Sequence, residues 1–388
     1  MAFGVEGVEE TVGLTLSGGG FRASLFHAGA LWRLSELGLL SALARLSGVS
    51  GGAITLGRLA VRWEALRAAG FAPQAVVREV VDPLRLLCGR TVDVPAVLAG
   101  LLLPCRSAGE WAAATYRRRL LGPATLQDLP DSPRFVFNAT NLSSGVGFRF
   151  SKPYAGDYRI GLIERPTFPV ALAVAASSAY PPFLSPVLLR VDPVLFARTP
   201  GADLHHRLAE DGVRLIDGGA YDNLGLEPVW KRCRTVLVSD AGAPFASGAP
   251  RARDWLRQAT RALSIIGHQG LSQRRRALLR ELATGERRGA YWGIETAIDR
   301  YAAPGRLPVP ARVSQALSRL RTRLDRFDAR EQRLLINWGY AVCDAAVRSF
   351  VATGAPPPAG WPYPELPLDG PDALPVRAEE ETWPDPAG

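Results

Sequence analysis

Apolar positions near the start of the chain follow two periods in turn. Residues 12–16 form a short apolar run that predicts a strand. Between residues 23 and 39 the spacing changes. Leu25, Phe26, Leu31, Leu34 and Leu37 recur near helical period and predict a helix with one buried face. Residues 43–49 read as a second strand and 52–69 as a second helix. A β-α-β-α opening predicts a parallel sheet, because each crossover helix must cover a sheet face. The expected class is therefore α/β: a three-layer sandwich with a mostly parallel central sheet and helices on both faces.

Further along, residues 70–130 read as mostly helical, with breaks at Pro95 and Pro104. Strand-like runs return at 135–142, 147–151, 213–216 and 235–240. Two long Arg-rich stretches, 252–283 and 312–351, read as helices. From Gly354 proline and acidic residues replace the periodic pattern, so regular structure is not expected there. Trp361 and Tyr363 are the residues able to pin that tail to the surface. The expected division is a main α/β domain over 1–250 with a helical cap insertion at about 65–130, an Arg-rich helical region over 251–353 packed on it, and a Pro-rich acidic tail over 354–388.

Composition changes this picture little. A chain of 388 residues can fill one large domain or two smaller ones. The net charge of +9 rests on arginine, since Lys152 and Lys231 are the only lysines. A basic balance favours an anionic partner. No nucleic-acid-binding motif accompanies it, so the expected anionic contact is peripheral, with a membrane surface. Cys88, Cys105, Cys233 and Cys343 show no metal or redox spacing and read as reduced, buried thiols. The first fourteen residues lack the basic flank and apolar core of a secretory signal. The most apolar run, 94–103, is too short to span a bilayer. The expected location is cytoplasmic, peripheral to a membrane at most.

Candidate chemistry begins at Gly18-Gly19-Gly20-Phe21-Arg22, between the first strand and the first helix. A phosphate-binding P-loop needs Lys and Ser or Thr after the last glycine, and neither is there. Gly18 to Ala23 satisfies G-x-G-x-x-A, but a dinucleotide site wants an acid at the end of the second strand. The chain has Ser47-Gly48-Val49-Ser50 there. A purely structural turn is a third reading. The fourth is an oxyanion hole, in which unobstructed backbone N–H groups and a helix N-terminus face a developing anion. On that reading a Cβ at Gly19 or Gly20 is expected to cost turnover far more than folding.

An oxyanion hole needs a nucleophile. Gly48-Val49-Ser50-Gly51-Gly52 is a G-x-S-x-G pattern that allows a sharp strand-to-helix turn with the serine at its apex. A helix N-cap serine is the plainer alternative. Loops after two neighbouring parallel strands share one sheet edge, so Gly18–Gly20 and Ser50 are expected to face one another. Serine also needs a base. Asp217 ends the run 213–216 and opens Asp217-Gly218-Gly219. An exposed carboxylate is a weak base, so burial must raise its pKa. An ordinary turn is the alternative for Asp-Gly-Gly. Of the histidines, His27 lies well inside the first helix, His205 and His206 sit in a polar segment, and His268 stands among arginines. A Ser50–Asp217–His268 triad has the chain order of α/β-hydrolases and stays open. So does a non-catalytic lipid- or nucleotide-binding protein.

The set GGGFR (18–22), GVSGG (48–52) and DGG (217–219), in that order, resembles the patatin-like phospholipase family. The resemblance extends over most of 12–245 and includes NATNLSSG (138–145) and AVAASSAYPPFLSPV (173–187). It implies lipid acyl hydrolysis by a Ser–Asp dyad, a glycine-rich oxyanion hole, and neither metal nor cofactor in catalysis. Carried over by position, Ser50 is the implied nucleophile and Asp217 the base. Gly18, Gly19 and Gly20 are the implied oxyanion donors, with Arg22 steadying their loop. Ala23 departs from the glycine usual after that arginine. The implied substrate is a lipid or phospholipid. For residues 94–103 a buried cap helix is the preferred reading and an entrance lid touching the bilayer the alternative. The arginines at 251, 253, 257, 261, 274, 275, 276 and 280 read first as a solvated helix face, and second as a contact for anionic headgroups.

Overall fold

Strand β1 (Glu9–Leu16) leads into helix α1 (Gly20–Glu36), and β2 (Leu43–Val49) into α2 (Gly51–Val61), as the apolar periods predict. These elements come from a computed structural model that describes residues 7–102, 107–205, 212–245 and 254–374. Short helical turns follow α2, then α3 (Asp93–Leu102) and α4 (Ala108–Tyr116). The chain continues through β3 (Arg134–Asn141), β4 (Gly147–Phe150), β5 (Tyr154–Asp157), β6 (Gly161–Glu164), α5 (Val170–Ser177), β7 (Val187–Leu189) and β8 (Phe196–Ala197). It ends with β9 (Val213–Asp217), β10 (Cys233–Asp240), α6 (Trp255–Thr284), β11 (Arg288–Gly293), α7 (Ala311–Ser318) and α8 (Ala329–Phe350).

The sheet runs β11-β10-β1-β2-β3-β4-β5-β6-β8. Its first five strands are parallel, and from β3 onward the neighbours are antiparallel. Period-two alternation divides the core between the faces. Leu14, Leu16 and Leu237 join the main cluster with α1 and α8, whereas Val236 and Val238 join Leu224, Val229 and Leu278 of α6 on the other side. Helices therefore cover both faces. Helices α1 and α8 cross at Gly29 and Gly339, where a Cβ on either would overlap the other helix's backbone. Trp338 and Phe26 are buried completely in the same layer, each worth about 1.5–3 kcal/mol of apolar burial.

Three expectations change. The region after residue 251 is not wholly helical, because β11 adds a parallel edge strand. The expected helix over 312–351 is two helices, α7 and α8, split by an irregular segment over 319–328. Asp328 starts α8 with a capping box to Glu331, which sets the break. Helix α3 is not buried all round: Ala96 faces the core, while Val94, Leu98 and Leu102 are exposed. Over its described part, residues 354–374, the tail holds neither helix nor strand. Asn337 bonds the Tyr363 N–H and carbonyl, and Leu368 is buried.

Candidate active site

The register along β3 brings two chain ends together. β2 pairs with β3 up to Val49 opposite Asn138. β9 arrives antiparallel on the same edge, with Asp217 opposite Ala139, the very next residue. β4 occupies the other edge. Asp217 thus fills the rung that residue 50 would take if β2 continued. Ser50 instead turns off sharply, with φ 51° and ψ −119°. That is an unfavourable conformation for a residue with a Cβ, costing about 1–3 kcal/mol, and it persists only where neighbours enforce it. Here the Ser50 N–H donates to Ser177 Oγ at 3.0 Å, and Ser177 Oγ donates to the Asn138 carbonyl at 2.6 Å. Asn138 Nδ2 in turn holds Ser47 Oγ and the Gly48 carbonyl.

The Ser50 side chain neighbours the Asp217 carboxyl and favours its ionised form. The Gly219 N–H donates to Asp217 Oδ1 at 2.7 Å. Burial dominates the environment of Asp217 and pushes its pKa up to about 6, against the opposing pull of Ser50 and the Gly219 N–H. Its backbone is fixed on both sides: the N–H donates to the Ala179 carbonyl, and Thr140 Oγ1 donates to its carbonyl.

The glycine loop lies beside this pair, and protein backbone crowds it. A Cβ on Gly18 would stand 3.2 Å from Ser50 Cβ and overlap Asn223 Oδ1. A Cβ on Gly19 would stand 2.5 Å from the Ala241 carbonyl oxygen, and one on Gly20 would overlap the Thr322 carbonyl. The turn of α2 closes in from the other side, since a Cβ on Gly51 would overlap the Gly20 carbonyl. The expectation that a Cβ at Gly19 or Gly20 costs turnover and spares folding is therefore corrected. The Gly18 N–H donates to the Asn223 carbonyl at 3.0 Å. Among the described hydrogen bonds, the Gly19 and Gly20 N–H groups have no acceptor. Arg22 is buried and donates to the carbonyls of Ser318, Leu320 and Ala241, so it ties the loop to β10 and to the segment after α7.

Residues 14–230 match the family model described as patatin-like phospholipase. The chain belongs to the patatin-like phospholipase family. Comparison with curated proteins gives no match. Among solved structures, human GIVD cytosolic phospholipase A2 is 16% identical, with a TM-score of 0.49. That comparison covers 88% of this chain and 58% of the human one, so the chain spans under two thirds of that relative's length. VipD from Legionella pneumophila is also 16% identical, with a TM-score of 0.32, covering 74% of this chain and 61% of that one.

The structure of this patatin-like protein also locates the histidines. His27 is buried between Ser239 Oγ and the Ser17 carbonyl, and burial lowers its pKa to about 4. It acts as a neutral strut between β1 and β10. His205 bonds the Ile160 carbonyl, and His206 lies outside the described residues. His268 stacks on Phe245, with ring centroids 4.7 Å apart, and is not among the groups acting on Asp217. Cys88, Cys233 and Cys343 are free and buried, and Cys105 lies outside the described residues. Sequence reasoning missed Ser177, Asn138 and Asn223 as individual supports. The first two stand in segments that the family resemblance had marked, but nothing local assigns them a partner. Among the described residues, no helix is long and apolar enough to cross a membrane.

Proposed function

We propose that this chain hydrolyses fatty-acyl esters of lipids, in the manner of a phospholipase A or lysophospholipase, through Ser50 and Asp217. The observation that carries the reading is the meeting of Ser50 and Asp217 at neighbouring strand ends on β3, where burial raises the carboxyl pKa to about 6. Such a group is ionised at neutral pH and more basic than an exposed aspartate, which suits it to accept a hydroxyl proton. In the first step Asp217 takes the Ser50 proton as Oγ attacks the ester carbonyl. The oxyanion is met by the Gly19 and Gly20 N–H groups. Gly18, with its N–H engaged by Asn223, shapes the loop, and Arg22 positions it. Collapse of the tetrahedral adduct breaks the ester C–O bond, and Asp217 returns the proton to the departing alcohol or lysolipid. Water then attacks the acyl-enzyme, Asp217 takes its proton, and Ser50 leaves reprotonated with the fatty acid free.

Two results test this chemistry. Turnover on a soluble ester is expected to rise through about pH 6 as Asp217 ionises, then level off. Asp217→Asn is expected to lose turnover and to gain stability at alkaline pH. Because the folded pKa lies above that of a free aspartate, about 3.9, Asp217 contributes stability below that value and loses it as pH rises through about 6. The difference amounts to about 3 kcal/mol, which the uncharged amide avoids. Denaturation of both proteins at acid and alkaline pH checks the sign. An unshifted pH profile together with equal stability would contradict the assignment.

The Ser50–Asp217–His268 triad makes a different forecast. His268→Ala is expected to leave soluble-ester turnover unchanged, because the ring packs on Phe245. Loss of turnover in a folded His268→Ala protein would restore the triad.

A further inference from the structure

Helix α6 is longer than the sheet it covers. At 30 residues it spans about 45 Å. Its C-terminal half packs Leu278 and Leu282 against β10. Arg275 marks the level of the sheet's carboxyl edge, because its guanidinium bonds Asp240 Oδ2, at the end of β10, at 2.6 Å. The neighbouring Arg274 lies over Tyr221, beside the Asp217-Gly218-Gly219 turn. From Leu271, which still packs on the cluster around Leu278, back to Trp255 the helix runs on for about 24 Å, beyond the edge that carries Ser50.

The projecting half has its faces reversed. At about 100° per residue, Trp255, Ala259, Ala262, Leu263 and Ile266 fall on one stripe, with Arg257, Arg261, Ser264 and His268 opposite. The polar side faces the protein's own loop, since Arg261 and His268 both pack on Phe245. The apolar side faces water: Trp255 is 80% exposed, Leu263 69% and Ile266 67%. An amphipathic helix that turns its apolar stripe outward has a surface left to cover. Tyr180 and Phe183, which follow Ala179 beside Asp217, are exposed as well.

Charge identifies the occupant. Residues 255–280 hold six arginines and no carboxylate; Arg257, Arg274 and Arg275 meet Asp254, Asp222 and Asp240, while Arg276 and Arg280 are exposed and fall on the same side of the helix as the apolar stripe. A second copy of the chain would bring the same exposed arginines against them. An anionic lipid surface accepts both features, apolar side chains below the headgroups and arginines among them. From these placements, we infer that the projecting half of α6 lies on an anionic lipid surface and holds the Ser50 edge against it. This rests on the lipid-ester reading of the site.

The test uses the full chain carrying Ser50→Ala, so that binding is read without turnover. Phosphatidylcholine vesicles with and without phosphatidylglycerol are sedimented with this protein and with its Leu263→Ser, Ile266→Ser derivative. Binding to the anionic vesicles is expected, and roughly a tenfold or greater loss in the derivative. Both side chains are exposed, so the derivative is expected to keep its thermal midpoint. With Ser50 restored, it is expected to hydrolyse soluble esters normally and vesicle lipid poorly. Absence of binding, or equal binding by the derivative, would overturn the inference. So would a dimer of the parent chain that the derivative loses, which would assign the stripe to contact between copies. Vesicle binding by a Ser50 protein that hydrolyses no ester would leave the inference standing and remove the catalytic reading instead.

Discussion

Gly20→Ala is expected to yield a folded but strongly destabilised protein. Gly20 has φ 59°, and a Cβ there would overlap the Thr322 carbonyl. That carbonyl belongs to the segment anchored by Arg22 through Ser318 and Leu320, so it cannot swing away without releasing a buried guanidinium. Overpacking costs about 1–3 kcal/mol and the positive φ adds about another, out of a total near 5–15 kcal/mol. Gly38→Ala is the control. Gly38 also has a positive φ, 69°, yet nothing lies within 4 Å of its Cβ position. Denaturation midpoints are expected to fall slightly for Gly38→Ala and severely for Gly20→Ala. Equal losses would show that the loop has room that the packing denies.

Ser50→Ala is expected to lower turnover on lipid esters by roughly 10⁴-fold or more, since removal of a nucleophile leaves only what the oxyanion donors and binding supply. The folded state is expected to survive it. The contacts that hold the turn run through the Ser50 N–H and Ser177, which alanine keeps. Ser50→Gly is expected to be inactive and to gain about 1 kcal/mol of stability, because glycine accepts φ 51° without strain. A stable Ser50→Ala protein with appreciable turnover would place the chemistry elsewhere.

How far the sequence carried can be read from these two residues. The strand ends and helix starts around Gly18–Gly20 and Ser50 were legible, because apolar period and glycine placement are local signals. The parallel order of β1 and β2 followed from the crossover rule. The end-to-end meeting of β2 and β9 along β3 was not legible. It depends on a register between segments far apart in sequence, Val49 with Asn138 and Asp217 with Ala139. The obstruction over the glycines was hidden for the same reason, since Thr322 and Ala241 reach the loop only through the tertiary fold. β11 escaped because its six residues carry a glycine near each end and follow directly on a long helix. The break before α8 was readable in principle, as the capping box Asp328 to Glu331 is a local pattern.

Covalent labelling tests the central claim most directly. A fluorophosphonate carrying an acyl-like chain, incubated with the folded protein and mapped by mass spectrometry, is expected to give one adduct, on Ser50. Labelling is expected to slow below about pH 6 as Asp217 takes up its proton, and to persist in His268→Ala. A folded wild-type protein that forms no adduct, or forms it on another serine, would contradict the account.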